Sequence, residues 1–299
     1  MKKLIIILLS LSTLLSLGCS RKKLDVKKET NLDEETFVDK KDDVKENTIK
    51  NDQNQKDTSN LEITKEEIKD KYKNKSPTEW GEYIEGVISS IETDEKIIAL
   101  TFDACGGEYG SEYDKELIDF LIREEIPSTL FINGRWIDSN LEIFMDLAEN
   151  PLFEIENHGY SHKPLSVNGN SIYGIKGTED ITEVIDEIIL NNAKIKELTG
   201  KKPKYFRSGT AYYDDIVVKI ARDLGVIPVN FDIIGDAGAT FSEVEIKNAL
   251  LSAKEGSIVI LHMNKPSKST AEGVKLAVPI LKEKGFKFVK LEDYDDKLR

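Results

Sequence analysis

The sequence predicts an α/β fold of barrel type, and three observations carry that prediction. Short apolar runs rich in β-branched residues alternate with amphipathic stretches about seven times between Pro77 and Arg299. Gly200, Gly225, Gly256 and Gly285 each follow a helical pattern. The polar residues able to do chemistry stand directly after the apolar runs. Strand–helix alternation of this kind builds a parallel sheet, and its closed form is a β/α barrel. A glycine just past a helix supplies the left-handed C-terminal cap.

In order, the strand runs are 97–102, 129–132, 153–155, 205–206, 227–231, 257–261 and 286–291. Between them the helical pattern recurs over 114–125, 139–149, 181–198, 214–224, 242–253 and 271–284. The expected domain, 77–299, is long enough for one sizeable core.

Composition separates this domain from what precedes it. The 299 residues include 42 basic and 55 acidic side chains, for a net charge of −13. Residues 20–76 carry 15 of each sign, whereas 77–299 carry 25 basic and 40 acidic. A domain that acidic repels phosphate, which excludes nucleic acid as a main partner. The 20–76 segment is poor in apolar residues and reads as a disordered tether, with one short helix over 63–72.

Before the tether, Lys2-Lys3 and the apolar run 4–17 lead to Gly18-Cys19. The run is short for a membrane span and reads as a secretory signal over 1–18. Its end resembles a bacterial lipobox, with Ser16 where a branched residue is usual. The resemblance makes Cys19 the lipidated N-terminus and places the protein outside the cytoplasm, anchored to a membrane. An uncleaved anchor helix is the plainer alternative. Cys105 is the only other cysteine, so no disulfide is expected.

Asp103 follows the first strand, and His158 and His162 follow the third. Arg207 follows the fourth, Asp232 and Asp236 close the fifth, and His262 closes the sixth. In a parallel barrel these ends share one face, where active sites form. All three histidines of the chain lie there. His158-x-x-x-His162 is a workable spacing for two ligands of one metal. Arg207 would keep a neighbouring carboxylate ionised, and Trp136, beyond another strand, offers either a stacking face for a sugar or plain packing.

Thr101-Phe102-Asp103, His158-x-x-Ser161-His162, Arg207, Asp236 and Val259-Ile260-Leu261-His262 together resemble the polysaccharide deacetylase family, carbohydrate esterase family 4. The resemblance implies a distorted (β/α)7 barrel and a hydrolase acting on an acetylated glycan. It makes Asp103 the base, His158 and His162 metal ligands, and Arg207 the residue orienting the base. It makes His262 the general acid, Asp236 its tuning carboxylate, and Leu261 a wall for the acetyl methyl. The turn ending at Tyr212 would offer a backbone donor to the developing oxyanion.

The match breaks in three places. Ala104 stands where the family has its third metal ligand, an aspartate. The Arg207 motif is longer than usual and lacks a proline, and Ala237 replaces a tryptophan. A divalent metal, zinc foremost, then needs Asp103, Cys105 or water as its third ligand, or no metal binds. Two other readings stay open: a metal-independent hydrolase of small cyclic amides, and an inactive glycan-binding lipoprotein.

Overall fold

The computed structural model describes residues 64–299; the expected signal, Cys19 and most of the tether lie outside the described residues. In chain order the elements are α1 (Lys65–Tyr72), β1 (Trp80–Gly81), β2 (Ile97–Ala104), α2 (Lys115–Arg123), β3 (Ser128–Ile132), α3 (Gly134–Ser139), α4 (Leu141–Glu149) and β4 (Phe153–Asn157). They continue with α5 (Ile181–Thr199), β5 (Tyr205–Phe206), β6 (Tyr213–Asp214), α6 (Asp215–Asp223), β7 (Ile227–Pro228) and β8 (Ile233–Ile234). The last are α7 (Glu243–Leu251), β9 (Ser257–His262), α8 (Thr270–Glu283), β10 (Lys287–Val289) and a closing 3₁₀ segment, Leu291–Lys297.

The main sheet runs β7-β5-β4-β3-β2-β9-β8, with β10 on the early half of β2, and every pairing in it is parallel. Its path ends at β7 and β8, so the expected barrel is an open, curled half-barrel. All eight residues of β2 are buried, as befits a central strand covered on both faces. The expected helices are present with ends shifted by a few residues. Gly200 caps α5 at φ 74°, and Gly225, Gly256 and Gly285 are also left-handed.

Three local differences have physical causes. The expected strand 227–231 pairs in the ladder only at Ile227–Pro228, while Ile233–Ile234, unpredicted, joins β9. α3 starts at Gly134, which reads as a breaker, because the Asn133 side chain accepts the Arg135 N–H at 3.1 Å. The tether expected through Ser76 contains an ordered helix docked on the domain. Thr64 and Glu67 form a capping box at the start of α1. One turn apart, Ile68 and Tyr72 are buried in the cluster shared with α5 and α6. Burying two such side chains contributes roughly 1.5–3 kcal/mol each.

Candidate active site

Strand pleating decides which side chains meet. Successive residues of a strand face opposite sides. On β2, Ile98, Leu100, Phe102 and Ala104 join the core beneath the helices, whereas Ile97 and Ala99 belong to the interior cluster. Asp103 shares the interior parity, and Cys105, one step past the strand, resumes it. Both line one cavity of about 680 Å³, a size typical of small-molecule sites. On β9, Val259 and Leu261 face the helices while Ile260 and His262 line the cavity. Asp103 and His262 are register partners on neighbouring strands.

Arg207, just past β5, is completely buried inside the curled sheet. Its Nη1 donates to Asp103 Oδ1 at 2.7 Å and to Thr101 Oγ1 at 2.9 Å. Nη2 and Nε donate to the carbonyls of Asn230 and Val229, and the guanidinium carbon lies 4.1 Å from the Phe131 ring centroid. A buried guanidinium needs such partners and a counter-charge, and Asp103 supplies the charge. The pair is therefore structural and fixes the Asp103 carboxylate at the cavity floor.

Among the described residues, Cys105, His158 and His162 form a potential metal-binding group whose ligand atoms all lie within 4.8 Å of one another. The Cys105 Sγ to His158 Nε2 distance is 4.0 Å, which one zinc ion can bridge with bonds of about 2.3 and 2.1 Å. His158 Nδ1 lies 3.0 Å from the Arg207 carbonyl. Donation there leaves the Nε2 lone pair facing the cluster, the tautomer a metal ligand needs. Asp103 Oδ2 is 3.5 Å from the same Nε2. Burial alone would raise the Cys105 thiol, yet His162, His158 and His262 hold it well below the ordinary range. For His158, burial pushes down while Asp103 and Cys105 push up, and the balance is upward.

His162 sits at φ 61°, in the left-handed region that costs an L residue about 1–2 kcal/mol. Glu187 of α5 fastens both sides of it. Its carboxylate accepts the backbone N–H of Ser161 at 2.9 Å and of Lys163 at 3.1 Å. A side chain on Gly159 would overlap that carboxylate, which explains the glycine between the two histidines.

On the other flank, His262 Nδ1 lies 2.8 Å from Asp236 Oδ1, and the His262 N–H donates to Asp236 Oδ2 at 2.7 Å. Thr270 Oγ1 also donates to Asp236. Burial disfavours the imidazolium, but Asp236 outweighs it and His262 is raised well above its ordinary pKa. Asp232 instead accepts Ser257 Oγ and the Ile258 N–H at the far end of β9. Of the two aspartates near this strand, Asp236 is thus the partner of His262.

Two sequence assignments need correction. Trp136 is wholly buried and its indole N–H donates to the Glu112 carbonyl, so it packs and cannot stack on a sugar. Leu261 is turned into the helix-facing core, and Ile260 holds the cavity wall instead. Tyr212 packs against Trp80 and Tyr173, next to the cavity lining. Glu82, Tyr173 and Glu187 escaped sequence reasoning. Glu187 sits mid-helix among other acidic residues, and the other two belong to loops with no motif.

The polysaccharide deacetylase family model matches residues 90–229. Over those residues, just under half of the chain, the protein is similar to a polysaccharide deacetylase domain. The curated protein YlxY of Bacillus subtilis is 24% identical over 193 residues, covering 64% of this chain. The chain spans only 56% of the length of YlxY. A bifunctional xylanase/deacetylase of Pseudobutyrivibrio xylanivorans is 22% identical across 67% of the chain and 30% of its own length. Among solved structures, a mutant of BA3943, described as a family 4 carbohydrate esterase pseudoenzyme with restored activity, is 25% identical. It covers 74% of this chain and 72% of its own, with a TM-score of 0.57. Bc1960, a peptidoglycan N-acetylglucosamine deacetylase, superposes at TM-score 0.60 with 23% identity, covering 70% of this chain and 92% of its own. At that identity the likeness to Bc1960 shows the shared fold. Within the matched residues, Ala104 stands in the core at the position where the family pattern has a ligand.

Proposed function

We propose that the deacetylase domain removes acetyl groups, N-acetyl foremost, from a cell-envelope or extracellular glycan. The observation that carries this reading is one cavity presenting Asp103 and His262 from neighbouring strands beside the Cys105, His158 and His162 donors. The donor set fits a zinc-class dication, with a thiolate in place of the missing carboxylate. Bound there, such an ion would lower the pKa of water toward about 7 and polarise the acetyl carbonyl.

The chain's own residues supply the rest. Asp103, held in place by the Arg207 guanidinium, accepts the proton of the attacking water. His262, kept as an imidazolium by Asp236, donates a proton to the departing amine nitrogen as the C–N bond breaks. Acetate and a free amino sugar result. The turn 209–211 lines the cavity; the Gly209 and Ala211 N–H groups donate to the Lys163 and Ser208 carbonyls, so the Thr210 N–H is the donor left for the negative oxygen that forms meanwhile. The same reading places the domain outside the cytoplasm, tethered through a lipidated Cys19.

Acetate release from N-acetylglucosamine oligomers and from acetylated xylan, with zinc supplied, tests the reading. Release is expected, with a loss of about 10²–10⁴-fold in Asp103→Asn. No release from either substrate by zinc-loaded protein overturns it. Ala104 and the likeness to a pseudoenzyme favour one second reading, an inert glycan-binding domain. That reading predicts glycan binding without any acetate release.

A further inference from the structure

Two residues of the cavity's outer wall, Glu82 and Tyr173, come from segments outside the five motifs, and the Tyr212 and Trp80 rings pack next to them. β1 pairs antiparallel with β6, which sets the Trp80 ring 5.6 Å from Tyr212. Tyr212 meets the Tyr173 ring edge-on at 5.8 Å. Tyr173 occupies the tip of a two-residue hairpin. Ile172 and Ile175 exchange both backbone hydrogen bonds, at 3.2 and 2.9 Å, and Tyr173 and Gly174 have φ of 54° and 75°. Such a turn favours Asn-Gly, because a bulky residue in the left-handed region is strained. Here a tyrosine takes the strained position and keeps 68% of its surface exposed. Strain retained at the mouth of a cavity is a pointer to function.

Glu82, directly after β1, lines the same cavity as Tyr173. Glu82 and Tyr212 also interact with the Tyr173 hydroxyl. The wall therefore presents the Tyr173 ring and hydroxyl beside the Glu82 carboxylate, with the Tyr212 and Trp80 rings packed next to them. A pyranose ring has the matching chemistry: an apolar C–H face and an edge of hydroxyl groups. The carboxylate disfavours an anionic sugar.

We propose that Trp80, Glu82, Tyr173 and Tyr212 form a subsite that holds one neutral pyranose unit of the glycan chain while a neighbouring unit occupies the reaction centre. The glycan is named on the strength of the deacetylase reading. The aromatic surface covers the C–H face of the ring, and the Glu82 carboxylate accepts its hydroxyls.

The chain's two tryptophans make the subsite measurable. Trp136 is wholly buried, whereas Trp80 belongs to the proposed wall, so a fluorescence response to bound sugar reports Trp80. The probe is a β-1,4-linked N-acetylglucosamine tetramer, titrated into the protein carrying Asp103→Asn so that turnover does not intrude. A saturable emission change is expected, absent when Trp80→Phe is added. Tyr173→Asn, which suits the left-handed turn, is expected to weaken binding roughly tenfold. Glu82→Gln is expected to weaken it as well. The proposal is overturned by affinity unchanged in both variants, or by no emission change up to millimolar tetramer. Acetate release in the unsubstituted protein, measured in parallel, separates the two readings. Subsite binding without release refutes the deacetylase, and release with binding indifferent to Tyr173 and Glu82 refutes the subsite.

Discussion

Replacing Asp236 with asparagine tests the proposed acid most directly. The aspartate is wholly buried, and its Oδ1 lies 2.8 Å from Nδ1 of an imidazole only 15% exposed. For charge centres roughly 4 Å apart at an effective dielectric of about 20, the attraction is about 4 kcal/mol. At 1.36 kcal/mol per unit, that corresponds to about 3 pH units of support for the imidazolium. The amide keeps the shape and the burial but removes the charge, so only Cys105 is left to oppose the desolvation that Asp236 now outweighs. The pKa of His262 then falls from its position well above the ordinary value. In the unsubstituted protein His262 stays protonated through neutral pH, and the alkaline fall in kcat/KM follows its deprotonation. In Asp236→Asn that limb moves down by about 3 pH units. At pH 7 the loss is about 10²–10⁴-fold, and it narrows toward acid pH as the imidazole regains its proton. The assay is kcat/KM for acetate release across pH 5–9. A loss of constant size at every pH, with the limb unmoved, refutes the assignment.

Two further predictions concern groups away from the chemistry. Glu187→Ala frees both ends of the strained His162 loop and is expected to lower zinc affinity about 10–100-fold, measured by competition with a chromophoric chelator. Glu187→Gln, whose carbonyl still accepts the Ser161 and Lys163 N–H groups, loses less; equal affinity in all three proteins refutes the role. Inside the curled sheet, Glu154 is pushed up to about 7 by burial and faces Glu156, which is also raised. The neutral acid is the form that suits the fold, so this contribution is complete below about pH 4.5 and is lost as the pH rises toward 7. The loss is about 3 kcal/mol. Glu154→Gln keeps an acceptor for Thr129 and the Leu291 N–H, and is expected to flatten it. Urea denaturation at pH 5 and pH 8 measures the difference, and an identical loss in both proteins refutes it.

Much of the fold was legible because its signals are local. Apolar runs and capping glycines each depend on a few neighbouring residues, and the helices follow them closely. Elements made by distant partners were not legible. β1 exists only because β6 lies beside it, and β8 only because β9 does. Trp136 was ambiguous for the same reason: a stacking tryptophan and a packing one read alike until the Glu112 carbonyl is seen to hold the indole.

The sequence by itself determined that Asp103, His158, Arg207 and His262 gather at one end of a parallel sheet, since each directly follows a strand. Strand parity, which sets the face of each side chain, needed the end of every strand, and only the tertiary structure gave it. It turned Ala104 and Leu261 toward the helices and Cys105 and Ile260 toward the cavity. It chose Asp236 over Asp232 as the partner of His262, and it brought Glu187 from mid-helix to the His162 loop. Those contacts join residues 24 to 26 positions apart, and no local pattern encodes which of several acidic side chains will make them.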